Sequence, residues 1–295
     1  MLATFFSLAN LVNVALSVAI VGIMSVGTTA VILTGGIDLS VGSVVALSGV
    51  LAALAAHALE PTLGGIGATL VATGIAIIVG VATGGITATA VAWLRIPSFL
   101  VTLALLTICR GLAFLLSDGR SIGDLPTQFG WLGQGKLLGL PIPILVMLMT
   151  VATGWLVLTG TTWGRWVYAV GGNEQAAWLA GVPTRAVTAC VYITNGALVG
   201  IAGIVLASRL GAGVPNAGLQ YELDVIAAVV IGGTALTGGR GSVLGSLIGA
   251  VCIGALSNAM NLADIDPAMQ RVVSGVVIMG AVIAERARTL IAAQH

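Results

Sequence analysis

Long apolar runs separated by short polar or glycine-rich turns organise this chain from end to end. A bilayer core takes about 20 apolar residues per helix. On that measure the runs predict nine spans, at about Asn10–Thr34, Val41–Leu59, Gly65–Trp93, Ser98–Leu116, Pro141–Gly160, Val187–Ala207, Leu223–Thr237, Ser242–Leu262 and Pro267–Glu285. The expected fold is all-α: a polytopic helical membrane protein in which residues 1–295 form a single transmembrane domain, with no water-soluble part long enough to fold alone. Small residues recur at four-residue spacing at Gly80/Gly84, Gly196/Gly200 and Gly241/Gly245/Gly249. Such ladders let helix backbones approach closely where no hydrophobic effect drives them together.

The most polar stretch between two runs is TTWGRWVYAVGGNEQAAWLAGVPTRA, Thr161–Ala186. Asn173 can cap a helix there, and Glu174 falls in its first turn, where a carboxylate suits the helix dipole. Gly181 is placed to end that helix in a left-handed conformation, and Pro183 stops it. The predicted helix has about two turns and carries Ala176, Ala177, Trp178 and Leu179. A short capped helix outside the membrane, bearing a Trp, suits a groove on a soluble partner. The alternative is a surface helix that only stiffens its loop.

Composition supports the bilayer setting. The chain is 58% hydrophobic and 7% charged, with a mean hydropathy of +1.13, against about 25% charged residues in ordinary globular domains. A net charge of +1 gives no reason to expect a nucleic-acid partner. Cys109, Cys190 and Cys252 lie scattered in apolar runs, without disulfide or metal spacing, and His57 and His295 are far apart. No Lys or Arg precedes Arg95. The first span is therefore expected to insert by itself, without a cleavable signal peptide.

If the 161–186 loop is cytoplasmic, parity puts Arg95, Arg165, Arg185, Arg240, Arg286 and Arg288 on the same side. Arg120, Lys136 and Arg209 fall opposite, with Arg271 near that edge, which is a weak positive-inside bias. Nine spans leave the N-terminus outside. A further hydrophobic helix ahead of Met1 would make ten.

Few residues can carry chemistry. Asp38 stands between two apolar runs with no basic residue near it in sequence. At membrane depth an ionisable group costs roughly 2.5–3.5 kcal/mol, so it should face a cavity or a partner. The plainer reading is a hydrated turn with Ser40 capping the next helix. Arg110, inside the fourth span, can snorkel outward or form a structural ion pair with Asp118, Glu222 or Asp224. Asn195, Asn258 and Asn261 are amides on spans, able to meet solute hydroxyls or to join helices. The segment GWLGQGK, Gly130–Lys136, copies half of a phosphate-binding loop, but Leu137 stands where Ser or Thr would hold Mg²⁺ and no strand precedes it. The chain is thus not expected to bind ATP or any other cofactor itself. A Ser–His intramembrane hydrolase is disfavoured, since His57 sits at a span edge. A secondary transporter of a small polar solute is the stronger rival. Two turns also match at six of eleven positions, LTGGIDLSVGS (33–43) and LTGGRGSVLGS (236–246), which reads as an internal repeat or as chance likeness of Gly-Ser turns.

Four separate stretches, in order, now point to a family. GGIDLSVGSVVALSG (35–49), IPSFLVTLALLTICRGLAF (96–114), GRWVYAVGGNEQAAWLAGV (164–182) and YELDVIAAVVIGGTALTGGRGSVLGS (221–246) resemble the permeases of bacterial sugar ABC importers, of the ribose, xylose and galactose type. The likeness runs from about Phe5 to Arg288. It implies a multi-pass subunit of the bacterial cytoplasmic membrane that moves a pentose, hexose or polyol by alternating access. Implied partners are a cytoplasmic ATP-binding subunit, which uses the ATP and Mg²⁺, a periplasmic or lipid-anchored sugar-binding protein, a second permease copy or paralogue, and membrane lipid. In that family the loop matching 161–186 docks on the ATPase, and Arg165, Asn173, Glu174, Ala176, Ala177 and Gly181 occupy matching positions. Trp178 stands where a smaller or more polar residue is expected. Asp38, Ser40, Asn195, Asn258 and Asn261 are the expected lining of the translocation path.

Overall fold

A computed structural model describes residues 5–292 of the chain. His295 lies outside the described residues. The helices are α1 (Leu8–Leu33), α2 (Val41–Ala92), α3 (Ser98–Leu116), α4 (Ile142–Gly160), α5 (Thr162–Gly172), α6 (Glu174–Leu179), α7 (Thr184–Leu210), α8 (Tyr221–Ile231), α9 (Val243–Leu262) and α10 (Pro267–Ala292). A helical turn at Trp131–Gln134 and a two-stranded antiparallel hairpin, Lys136–Leu137 with Leu140–Pro141, fill the longest connection. Among the described residues, six helices are long and apolar enough to cross a membrane.

Two predicted spans are joined in α2, whose 52 residues break at Gly64, with φ 67° and ψ 168°. Pro61 lies just before the break. Its ring removes one helical donor and crowds the preceding turn, so a reversal is easiest there. A second difference concerns Leu223–Thr237. The helix in that run is α8, with 11 residues, which is about 16 Å long and half the depth of a ~30 Å hydrocarbon core. Residues 232–242 continue as irregular chain. Such backbone is tolerated at membrane depth only where protein covers it. Here Thr234 and Gly238 are buried, while Gly233, Thr237 and Arg240 are exposed.

Glycine contacts set the central packing. A side chain on Gly80 would strike the Gly196 carbonyl, one on Gly196 would strike Gly80, and one on Gly200 would strike the Ala76 carbonyl. The first two ladders therefore face each other across α2 and α7, as close approach of backbones requires. The third is only partly a helix face. Gly245 and Gly249 press on the Gly232 and Ala228 carbonyls of the α8 segment, whereas Gly241, at φ 151°, lies in the turn before α9.

Candidate functional site

Two unwound segments, 34–40 after α1 and 232–242 after α8, interrupt the helices. α1 ends at Thr34, and Gly35 turns the chain at φ 79°. The chain then climbs back between α3 and α7. The Ile37 amide donates to Ser98 Oγ at 3.1 Å, and Thr102 Oγ1 donates to the Ile37 carbonyl at 3.4 Å. The segment ends in a closed polar cluster. Asp38 Oδ1 accepts from the Ser40 amide at 2.8 Å and from Ser40 Oγ at 2.6 Å. Asp38 Oδ2 accepts from Asn195 Nδ2 at 2.8 Å, and Asn195 Oδ1 in turn meets Thr28 Oγ1 at 3.5 Å.

This geometry replaces the hydrated-turn reading of Asp38. The residue is 5% exposed, and its partner Asn195 lies about 16 Å along α7 from Thr184. Ser40 does precede α2, but its hydroxyl makes no capping bond and goes to Asp38 instead. All three neighbours of the carboxyl donate, which suits a carboxylate. A void of about 10 Å³ beside it is lined by Asp38, Ser40, Thr83 and Gly196, among others. That is about the size that holds one water.

The other expected path residues lie elsewhere. Asn258 and Asn10 exchange amide bonds of 2.8 and 3.0 Å and tie α9 to α1. That pair sits about 27 Å along α1 from Thr28. Asn261 accepts from Gln270 Nε2 at 2.9 Å at the exposed turn into α10. The structure thus gathers Asp38, Ser40 and Asn195 and leaves both later asparagines apart, as helix joints.

Arg110 differs from expectation too. Its guanidinium donates to the Pro215 and Ala217 carbonyls at 2.8 and 2.7 Å. Glu222 acts on it through space, while Glu222 Oε2 is buried without a bonding partner. Arg110 therefore braces the loop before α8 through main-chain acceptors, not through an ion pair with Glu222 or Asp224. One guanidinium nitrogen, Nη1, serves both main-chain acceptors.

The 161–186 stretch folds as its signals predict. Asn173 Oδ1 accepts from the Ala176 amide at 2.9 Å, Glu174 opens α6, and Gly181 adopts φ 84°. Ala177 faces inward at 5% exposure, while Trp178 and Leu179 are 64% and 75% exposed. Arg165 is exposed and donates to Thr162 Oγ1 at 2.9 Å. Beneath α6 lies an open cleft of about 1050 Å³, bounded by Gly35, Gly36, Arg95, Ser98, Arg185 and Tyr192 together with Glu174 and Trp178. Its floor is thus the turn that leads to Asp38. Tyr192, 1% exposed, has no separate signal in the sequence. A Tyr on an apolar helix at a spacing of three from Asn195 looks like any core aromatic. Within GWLGQGK the Gly133 amide donates to Ser208 Oγ at 2.6 Å, which joins that segment to α7.

Known proteins are similar to this chain over nearly its whole length. The family described as branched-chain amino acid transport system, permease component, matches residues 10–282. The ribose import permease protein RbsC of Escherichia coli K12 is 41% identical over 286 residues, 95% of this chain and 87% of that one. RbsC of Bacillus subtilis 168 is 40% identical over 296 residues, covering 97% and 87%. The L-arabinose transport system permease protein AraH of E. coli K12 is 37% identical over 290 residues, covering 96% and 84%. No solved structure matches the chain.

Proposed function

The chain belongs to the family of transport-system permease components, and from that premise we infer that it is the transmembrane subunit of an ATP-binding cassette importer for a sugar. The observation that carries this is 41% identity to a ribose import permease over 95% of the chain. It is a multi-pass protein of the inner membrane and a transport component, not an enzyme. Relatives named for ribose and arabinose make a pentose the first solute to test.

In this reading a cytoplasmic ATP-binding subunit supplies ATP and Mg²⁺ chemistry, a sugar-binding protein delivers the solute, and a second permease copy or paralogue completes the path. The 173–181 helix docks on the ATP-binding subunit. Its support is physical: the helix is capped at both ends, and it presents Trp178 and Leu179 to solvent. Large exposed apolar side chains of this kind mark contact surfaces. Closure of the ATP-binding subunits then rocks the helices between inward-open and outward-open arrangements. A neutral sugar needs hydroxyl and amide contacts that release easily, and no covalent step occurs.

Reconstitution tests the reading. The chain, its genomic-neighbour ATP-binding subunit and sugar-binding protein are placed in proteoliposomes, and uptake of radiolabelled ribose or arabinose is followed with and without ATP. ATP-dependent accumulation is expected. Counter-flow of solute without ATP, or failure to co-purify with the ATP-binding subunit, overturns it.

A further inference from the structure

α5 ends in Gly171–Gly172, immediately before the Asn173 cap of α6. Gly171 sits so close to two other segments that a Cβ there would overlap the Leu33 carbonyl and lie 2.6 Å from the Gly239 amide nitrogen. That amide donates to the Leu33 carbonyl at 2.9 Å. A Cβ on Gly238 would lie 2.9 Å from the Gly171 carbonyl oxygen and 3.0 Å from the Gly35 amide nitrogen. The end of α5 and the two sequence-similar turns therefore meet as backbone on backbone. One turn earlier on α5, the Tyr168 hydroxyl donates to the Gly241 carbonyl at 2.9 Å.

A second observation points to the same segments. Among the described residues, the buried side-chain oxygens without a bonding partner are Tyr192 Oη, Glu222 Oε2 and Thr234 Oγ1. Each packs on a glycine in or next to an unwound segment: Tyr192 on Gly36, Glu222 on Gly42 and Thr234 on Gly241. Ser98 stands close to Tyr192 without bonding geometry. Buried polar atoms are nearly always paired, so each exception calls for an explanation, of which a strained segment is one. Here the exceptions gather where the helices are broken, as expected of segments that change partners between two arrangements.

We propose that Gly171 and Tyr168 are positioning residues that fasten the docking helix to both unwound segments, so that a displacement of α6 moves residues 34–40 and 232–242 together. This rests on the docking reading of α6. Backbone contact transmits such a displacement because no side-chain rotamer lies between to absorb it. Asp38 is five residues beyond Leu33 on one segment, and Thr234 lies under Gly241 on the other. Burial pushes the Tyr168 phenol above its ordinary value, so it stays a donor through the physiological range.

The test is the ratio of solute imported to ATP hydrolysed in the reconstituted complex. Gly171→Ala is expected to insert, to bind the ATP-binding subunit and to permit hydrolysis while uptake collapses. Tyr168→Phe removes one bond without changing packing and is expected to lower the ratio about two- to tenfold. Gly172→Ala, which meets nothing within 4 Å, is expected to keep the wild-type ratio. If Gly171→Ala fails to insert, Tyr168→Phe decides. A wild-type ratio in Tyr168→Phe, or loss of assembly in step with loss of uptake, overturns this inference alone. Failure of the wild-type chain to bind the ATP-binding subunit overturns the docking reading instead.

Discussion

Asn195→Leu is the perturbation that most directly tests how the centre is held. The amide of Asn195 is the link between Asp38 and α7, at 2.8 Å. Replacing it with an apolar side chain of similar size removes that donor and leaves Asp38 Oδ2 bare in a fully buried site. Hydrogen bonds to charged groups contribute about 1.5–3 kcal/mol, and an orphaned acceptor also keeps its desolvation cost. Interhelical polar pairs in membranes average about 0.6 kcal/mol, because the helices find other partners in the unfolded state. The carboxyl at Asp38 has no such alternative, so the larger figure should win, and a loss of about 2 kcal/mol is expected. The internal standard is Asn258→Leu, which breaks the part-buried neutral pair with Asn10 and should cost about 0.6 kcal/mol. Asp38→Asn should also be mild. Its oxygen can still accept from Ser40, and a flipped Asn195 can accept from its new amide while donating to the Thr28 hydroxyl. Equilibrium unfolding in mixed micelles, with increasing SDS, gives all three values. If Asn195→Leu costs no more than Asn258→Leu, the argument that buried carboxyl chemistry decides the site is wrong.

Further outcomes follow from the same contacts. Gly80→Val drives a branched side chain into the Gly196 carbonyl and should cost about 1–3 kcal/mol or more, whereas Gly74→Ala meets open space and should be silent in the same assay. Asn173→Ala removes the bond to the Ala176 amide and should destabilise α6 by about 1 kcal/mol. Hydrogen exchange should then rise at residues 174–179 without change in α7. Arg110→Met frees the Pro215 and Ala217 carbonyls. Proteolysis between residues 211 and 220 should accelerate while α3 stays protected. A single cysteine at Glu174 should react with impermeant thiol reagents in inverted vesicles and not in intact cells; the opposite pattern would reverse the orientation of the chain.

How far these features are legible in the sequence depends on where their cause lies. A bilayer forces each span to be apolar along its length, so the hydrophobic runs mark every long helix, and Pro61 with Gly64 allows two of them to join as α2. Capping is local chemistry, so Asn173, Gly181 and Pro183 are enough by themselves to delimit α6. The shortness of α8 has no such signature: Gly232–Leu236 must be apolar whether it is helical or merely covered by protein. Asp38 is legible in part. Its place between apolar runs calls for a cavity or a partner, but nothing local names that partner, because Asn195 is 157 residues away.

The glycines carry the same lesson into mechanism. Gly80 and Gly196 declare themselves by their spacing, because a ladder on a helix repeats. Gly171, Gly35 and Gly238 belong to three distant pairs with no common period, and each alone looks like an ordinary turn. Gly171 and Gly238 share a requirement, that no side chain stand between the end of α5 and the two turns, and it exists only once the chain has folded. A connection of that kind is stiff because it is bare. Of the six positions at which 33–43 and 236–246 agree, the contact between the turns uses the Leu33 carbonyl, which accepts from the Gly239 amide.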